Sequence, residues 1–166
     1  VKMYVCGPTV YSFLHVGNFR GPVFFNFVRR WLEHLGYQVD YALNFTDVDD
    51  RIITKAQQEN VHFKEISERY ITEYKKDFKD LGLDAHTYNP KVTDYIPQII
   101  EMIETLVKND KAYEANGDVN YSINHFPTYG KLSGRKTEDM LQGLRIDVDE
   151  KKKNPLDFAL WKNMKK

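Results

Sequence analysis

The chain has 166 residues, 42% hydrophobic and 14% aromatic, enough for one packed core with a small appendage and too aromatic for a disordered segment. Its 24 basic residues balance 24 acidic ones, so net charge offers no electrostatic case for binding nucleic acid. The one cysteine excludes an internal disulfide and fits a reducing compartment, and no stretch reads as a signal peptide or a membrane span.

Lys2 to Cys6 reads as a short strand stopped by Gly7-Pro8. A loop follows, and from Asn18 an amphipathic pattern places Val23, Phe24, Phe27, Val28, Trp31, Leu32 and Leu35 at three- and four-residue spacing. Gly36 closes this helix as the residue after its cap, and Tyr37 to Leu43 forms a second strand. Strand, glycine-containing loop, helix and strand make one right-handed βαβ crossover. Its helix begins where a strand ends, so its unpaired backbone N–H groups and positive dipole end suit an anion such as a phosphate. Gly17 would let a flat ligand come close to the backbone, with His15 and Asn18 as donors on either side. Read from the residues alone, His15 is equally an ordinary loop histidine and Asn18 an ordinary N-cap. Cys6 sits at the carboxyl end of the first strand, where open parallel sheets place ligands, although a lone cysteine is more often a small buried hydrophobe.

Asp47, Asp49 and Asp50 form an acidic turn that N-caps a helix over 51–58. Its spacing does not match a calcium-binding EF-hand loop. A second helical pattern covers 63–81, with Phe63, Ile66, Tyr70, Tyr74, Phe78 and Leu81 on one stripe, and Gly82 ends it. Leu83 to Lys91 reads as a loop, after which Thr93 caps a third long helix running to about Asn109. From Ala112 the texture changes: a β-hairpin turns at Asn116-Gly117 with type I′ geometry and runs to Ile123. Short polar segments and a brief helix near Thr137 to Gln142 follow. Asp149 to Lys153 is a solvated charge run, and Leu156 to Trp161 a short apolar strand.

Five strings carry a resemblance: MYVCGPTVY, HVGN in the place of a HIGH signature, NFTDVDDRI at 44–52, YGKLSG at 129–134 and NPLDFALWK at 154–162. In this order they resemble the amino-terminal part of cysteinyl-tRNA synthetases, class I enzymes. The resemblance implies an α/β fold: the first half of a Rossmann-like (HUP-type) parallel-sheet nucleotide-binding fold, plus a small connective insertion containing the β-hairpin. Residues 1–111 would form that first half with its helical extension, 112–153 the insertion, and 154–166 the return toward the catalytic domain.

The function implied is activation of cysteine by ATP, with attack of the amino acid's carboxylate on the α-phosphorus and release of pyrophosphate, followed by transfer to tRNA(Cys) in the cytoplasm. Gly7, Pro8, Thr9, His15, Gly17 and Asn18 would bind the nucleotide, and Cys6, Gly7 and Thr46 would face the amino acid. His15 would contact the phosphates, while Asn18 stands where the family usually has a second histidine. Cys6 would be one of four zinc ligands; soft sulfur coordination separates cysteine from serine. The family's other zinc ligands and its KMSKS signature belong to sequence beyond the matching stretch, and His34, His62, His86 and His125 lie in no matching motif. The expectation is therefore a fragment that holds no zinc and activates nothing alone, with tRNA contacts mostly elsewhere and no membrane partner. A ligase joining cysteine to an amino-sugar in mycothiol biosynthesis shares these features. A non-catalytic nucleotide-binding module is the reading from another class.

Overall fold

A computed structural model describes residues 1–134 and 152–163. The short helix expected near Thr137, part of the charge run at 149–153 and the last three residues lie outside them. The chain divides into two compact units, Val1–Ile96 and Pro97–Lys166.

In the first unit, strand β1 (Lys2–Val5) leads through a loop into helix α1 (Val16–His34) and then strand β2 (Asp40–Leu43). The two strands pair in parallel, from Lys2 opposite Asp40 to Val5 opposite Leu43, as a βαβ unit requires. Helix α1 ends with Gly36 at φ +88°, where Gly36 N–H reaches Glu33 O at 3.0 Å and Tyr37 N–H reaches Leu32 O at 3.1 Å. Helices α2 (Asp50–Glu59) and α3 (Phe63–Asp80) follow. Asp49 caps α2, its side chain accepting from Arg51 N–H.

The core joins Tyr41, Leu43 and Phe45 to Ile52 and Ala56 of α2 and to Ile66, Tyr70, Ile71, Tyr74 and Phe78 of α3. Tyr74 is its aromatic hub, stacked on Phe19 at 5.8 Å and edge-on to Phe45 at 5.2 Å between ring centroids. Burying such a ring contributes roughly 2–3 kcal/mol from apolar area alone.

Three sequence expectations change here. Most of the amphipathic pattern foreseen on α1 faces outward: Phe24, Phe27, Trp31 and Leu35 are 58%, 66%, 54% and 55% exposed, while Leu32 packs against the core and the helix buries Phe19, Pro22 and Asn26. Helix α1 carries apolar residues almost all round, so periodicity alone could not choose the face. The segment 83–91 is not merely a loop. Its second half lies parallel to β2, with Tyr88 N–H to Tyr41 O at 3.1 Å, Leu43 N–H to Tyr88 O at 3.0 Å and Phe45 N–H to Pro90 O at 2.8 Å. Thr93 does not cap a long helix. It lies inside a 3₁₀ turn, Val92–Tyr95, and its hydroxyl donates to the buried Asp47 carboxylate, which also accepts from Thr93 N–H at 3.1 Å.

In the second unit, helix α4 (Ile96–Lys108) buries none of its residues and carries Pro97 in its first turn, where the missing N–H costs nothing. Strands β3 (Ala112–Ala115) and β4 (Asp118–Tyr121) form the hairpin, with Asn116 at φ 54° and Gly117 at φ 85°, both positive as a type I′ turn demands. Strand β5 (Phe158–Trp161) pairs antiparallel with β4 and completes a three-stranded sheet. Asp157, 2% exposed, fastens this last strand by accepting from Tyr113 Oη at 2.7 Å, Ile123 N–H at 3.0 Å and Asn154 N–H at 3.1 Å.

Candidate nucleotide site

The loop between β1 and α1 and the turn after β2 lie side by side because the two strands are parallel neighbours. Their backbones continue the ladder beyond the strands: Thr9 bridges Thr46, Thr46 N–H donates to Pro8 O at 3.1 Å, and Val10 N–H to Thr46 O at 3.3 Å. Thr9 and Thr46, drawn from sequence stretches 37 positions apart, are thus brought together by main-chain bonds.

Gly7 is fixed by this close approach. A Cβ there would lie 1.6 Å from the Asn44 backbone oxygen, so no other residue fits the crossing. The Asn44 side chain closes the junction, its Oδ1 accepting from Gly7 N–H at 2.8 Å and from Tyr4 Oη at 3.0 Å. The sequence reading did not single out Asn44; its signal was only its place at the head of the NFTDVDD string. Cys6 is exposed at the end of β1, and its thiol meets only Gly7 O, at 3.8 Å.

Helix α1 starts earlier than its apolar pattern suggests, and its N-cap is His15, not Asn18. His15 Nδ1 accepts from Gly17 N–H at 3.1 Å, while Asn18 Oδ1 accepts from His15 N–H at 3.1 Å, a reciprocal capping box built from an imidazole and an amide. With Nδ1 accepting, the ring proton sits on Nε2, which is left as a donor on an exposed side chain. Gly17 has a structural reason beside the one foreseen: a Cβ there would stand 2.9 Å from His15 Cε1, so the glycine makes room for the ring to fold over the helix end. Among the described residues no hydrogen bond joins this cap to Cys6, Gly7, Thr9 or Thr46.

A second side chain passed over in the sequence ties the site loop to α2. Arg51 donates from Nε to Asp49 Oδ1 at 2.9 Å and from a terminal nitrogen to Thr9 Oγ1 at 3.0 Å, and its guanidinium carbon lies 4.7 Å from the Tyr11 ring centre. The Asp49 carboxylate holds the Arg51 guanidinium above its ordinary value, first by hydrogen bonding. Tyr11, Ser12, Arg51, Thr54 and Lys55 line an open cavity of about 420 Å³ on this side.

The zinc that the family resemblance brings with it does not fit these residues as a complete site. Among the described residues no group of three or more His, Cys, Asp or Glu is placed to hold a metal ion, and Cys6 alone supplies one ligand where zinc takes four. No described helix is long and apolar enough to cross a membrane.

The comparisons with known proteins agree with one another. A family model described as tRNA synthetases class I (C) catalytic domain matches residues 1–166. A cysteine–tRNA ligase of Bdellovibrio bacteriovorus is 67% identical over 165 residues, which is 99% of this chain and 34% of the relative. One from Carboxydothermus hydrogenoformans is 52% identical, covering 99% of this chain and 36% of the relative. The chain thus spans about a third of the length of the curated relatives it matches. The fold resembles that of an Agrobacterium radiobacter LeuRS solved in a ternary complex with tRNA and LeuAMS, with a TM-score of 0.60 and 17% identity over 69% of this chain and 16% of that one. It also resembles a putative arginyl tRNA synthetase from Campylobacter jejuni, with a TM-score of 0.57 and 12% identity over 76% of this chain and 38% of that one. These two likenesses place the α/β architecture among Rossmann-like synthetase folds. On the full-length family match and the 67% identity, the chain belongs to the catalytic-domain family of class I (C) tRNA synthetases.

Proposed function

We propose that this chain supplies the ATP- and cysteine-facing part of a cytoplasmic cysteine–tRNA ligase, which activates cysteine as cysteinyl-adenylate for transfer to tRNA(Cys). The observation that carries the reading is the His15–Asn18 capping box at the start of α1, the helix that follows β1. A helix N-terminus attracts phosphate by its dipole, and here His15 accepts from the Gly17 and Asn18 N–H groups. His15 adds an Nε2 donor, held in one tautomer by its own helix. In this reading His15 touches the nucleotide phosphates, Gly17 leaves room for the imidazole over the helix end, and Gly7, Pro8 and Thr9 shape the strand-to-loop exit. Asn18 acts through His15, because it orients the histidine backbone from within the cap and adds no charge. Cys6 and Thr46 face the amino acid from the ends of β1 and β2. The chemistry asks chiefly for positioning and for stabilisation of charge developing on the α-phosphate.

The test uses the Bdellovibrio bacteriovorus relative. Its matching 165-residue stretch is replaced by this chain, and cysteine-dependent exchange of pyrophosphate into ATP is measured. The chimaera should exchange with cysteine and not with serine. His15→Ala should lower the rate by roughly 10²–10³. A folded chimaera without exchange, or one indifferent to His15→Ala, would overturn the reading. The 166-residue chain alone should show negligible exchange.

A further inference from the structure

We propose that Arg51 is a positioning residue which sets the conformation of the 7–15 loop by clamping Thr9 and Tyr11 against the cap of α2. The proposal deepens the nucleotide-site reading and rests on it for the meaning of the loop, but its first test needs no ligand.

An exposed arginine–carboxylate pair by itself contributes little, because water screens it and the long side chain loses freedom. Arg51 differs in what it holds simultaneously. Its backbone N–H and its Nε both go to Asp49 Oδ1 at 2.9 Å, so the side chain is anchored on the residue that caps its own helix. The anchored fork then presents a terminal nitrogen to Thr9 Oγ1 at 3.0 Å, 42 positions away. The guanidinium face lies over Tyr11, two residues further along the same loop. One rigid planar group therefore fixes two loop residues from one helix end.

The backbone around Thr9 explains why this matters. Pro8 O and Val10 N–H are bonded to Thr46, which holds the main chain on both sides of Thr9. Beyond Val10 the loop runs on to His15, with Tyr11 and Leu14 partly buried against the core and Phe13, 67% exposed, edge-on to Tyr70 at 5.4 Å between ring centroids. Arg51 grips the bridge residue Thr9 and, just past it, Tyr11. A lysine could not replace it, since a single ammonium cannot bond Asp49 and Thr9 in a fork while stacking flat on Tyr11.

Hydrogen–deuterium exchange on the 166-residue chain reads the effect directly. Arg51→Met should raise exchange in the 7–15 loop about tenfold, the size expected for losing a hydrogen bond to a charged group, and leave α3 unchanged. Thr9→Val should do the same, and Thr9→Ser, which keeps the hydroxyl, should restore the slow exchange. The Arg51→Met/Thr9→Val double variant should be no faster than Arg51→Met alone, because Arg51→Met already removes the Thr9 contact. In the chimaera, Arg51→Met should raise the KM for ATP several-fold with kcat little changed. Unchanged loop exchange in Arg51→Met, an equal rise throughout α3, or additive effects in the double variant would overturn the proposal. An inactive parent chimaera with the exchange results as described would defeat the ligase reading and leave the clamp standing.

Discussion

Gly7 and His15 show how much of this site is settled by single atoms. At Gly7 a methyl group would occupy the position of the Asn44 carbonyl oxygen, 1.6 Å away, and neither backbone can retreat without breaking the β1–β2 ladder. Gly7→Ala should therefore cost about 3 kcal/mol or more, seen as a lower urea midpoint with β1 losing amide protection. At His15 the cap is polar and exposed, so its loss should be gentler. His15→Ala should cost about 1 kcal/mol, and adding Asn18→Ala should cost little further, because the two residues share one reciprocal box. Equal and additive losses in the urea titrations would show that they do not act as a unit. Neither role could be read from residue type. Histidine is not among the preferred N-caps, and the same surprise recurs at His62, whose ring caps α3 with Glu65 completing the box.

At the scale of elements, β2, α3 and the segment beside them enclose a histidine that has no partner of opposite charge among the described residues. His86 meets Tyr41 edge-on at 4.7 Å and Phe78 at 4.6 Å between ring centroids, and its Nε2 is buried with no hydrogen-bond partner. Burial first, and the Arg29 cation second, push it down to about 4 from 6.5. The folded state therefore favours the neutral ring, whereas the unfolded chain takes up a proton near 6.5. Stability from this group is complete above pH 6.5 and is lost as pH falls from there through about 4. Urea midpoints measured between pH 7 and pH 4 should fall less steeply in His86→Phe than in the parent chain, and parallel slopes would refute this.

The second unit is fastened at Asp157. Asp157→Ala removes the acceptor of the Ile123 and Asn154 amides and one partner of Tyr113 Oη, which should cost about 3 kcal/mol and raise exchange in β5.

How far these elements were legible follows from where their hydrogen bonds go. Asn116-Gly117 announced its hairpin because both central residues need positive φ, and Asp49 announced α2 because aspartate is a good cap. The 87–92 segment could not announce itself. Pro90 has no N–H, the Tyr41 N–H goes to the Thr87 hydroxyl at 2.9 Å and Asn89 Nδ2 donates to Leu43 O, so the ladder there is partly side chain and shows no alternating pattern. In the candidate site, the order of strings pointed to the 7–15 loop and the turn after β2, whereas the clamp by Arg51 and the lock by Asn44 depend on contacts across 42 and 37 positions that no local pattern encodes.

For the molecule as a whole, the telling feature is helix α1, which shows Phe24, Phe27, Trp31 and Leu35 to water on the flank away from Phe19. Scattered exposed apolar side chains are normal, but several in one row are not. In solution that row makes concentration a variable in its own right. Static light scattering should give an apparent mass that climbs as the sample is concentrated, and the climb should flatten in a Phe27→Lys/Trp31→Lys variant with an unchanged circular dichroism spectrum. A flank that keeps its greasy side wet turns handling of this polypeptide into a colloidal question before it is an enzymatic one.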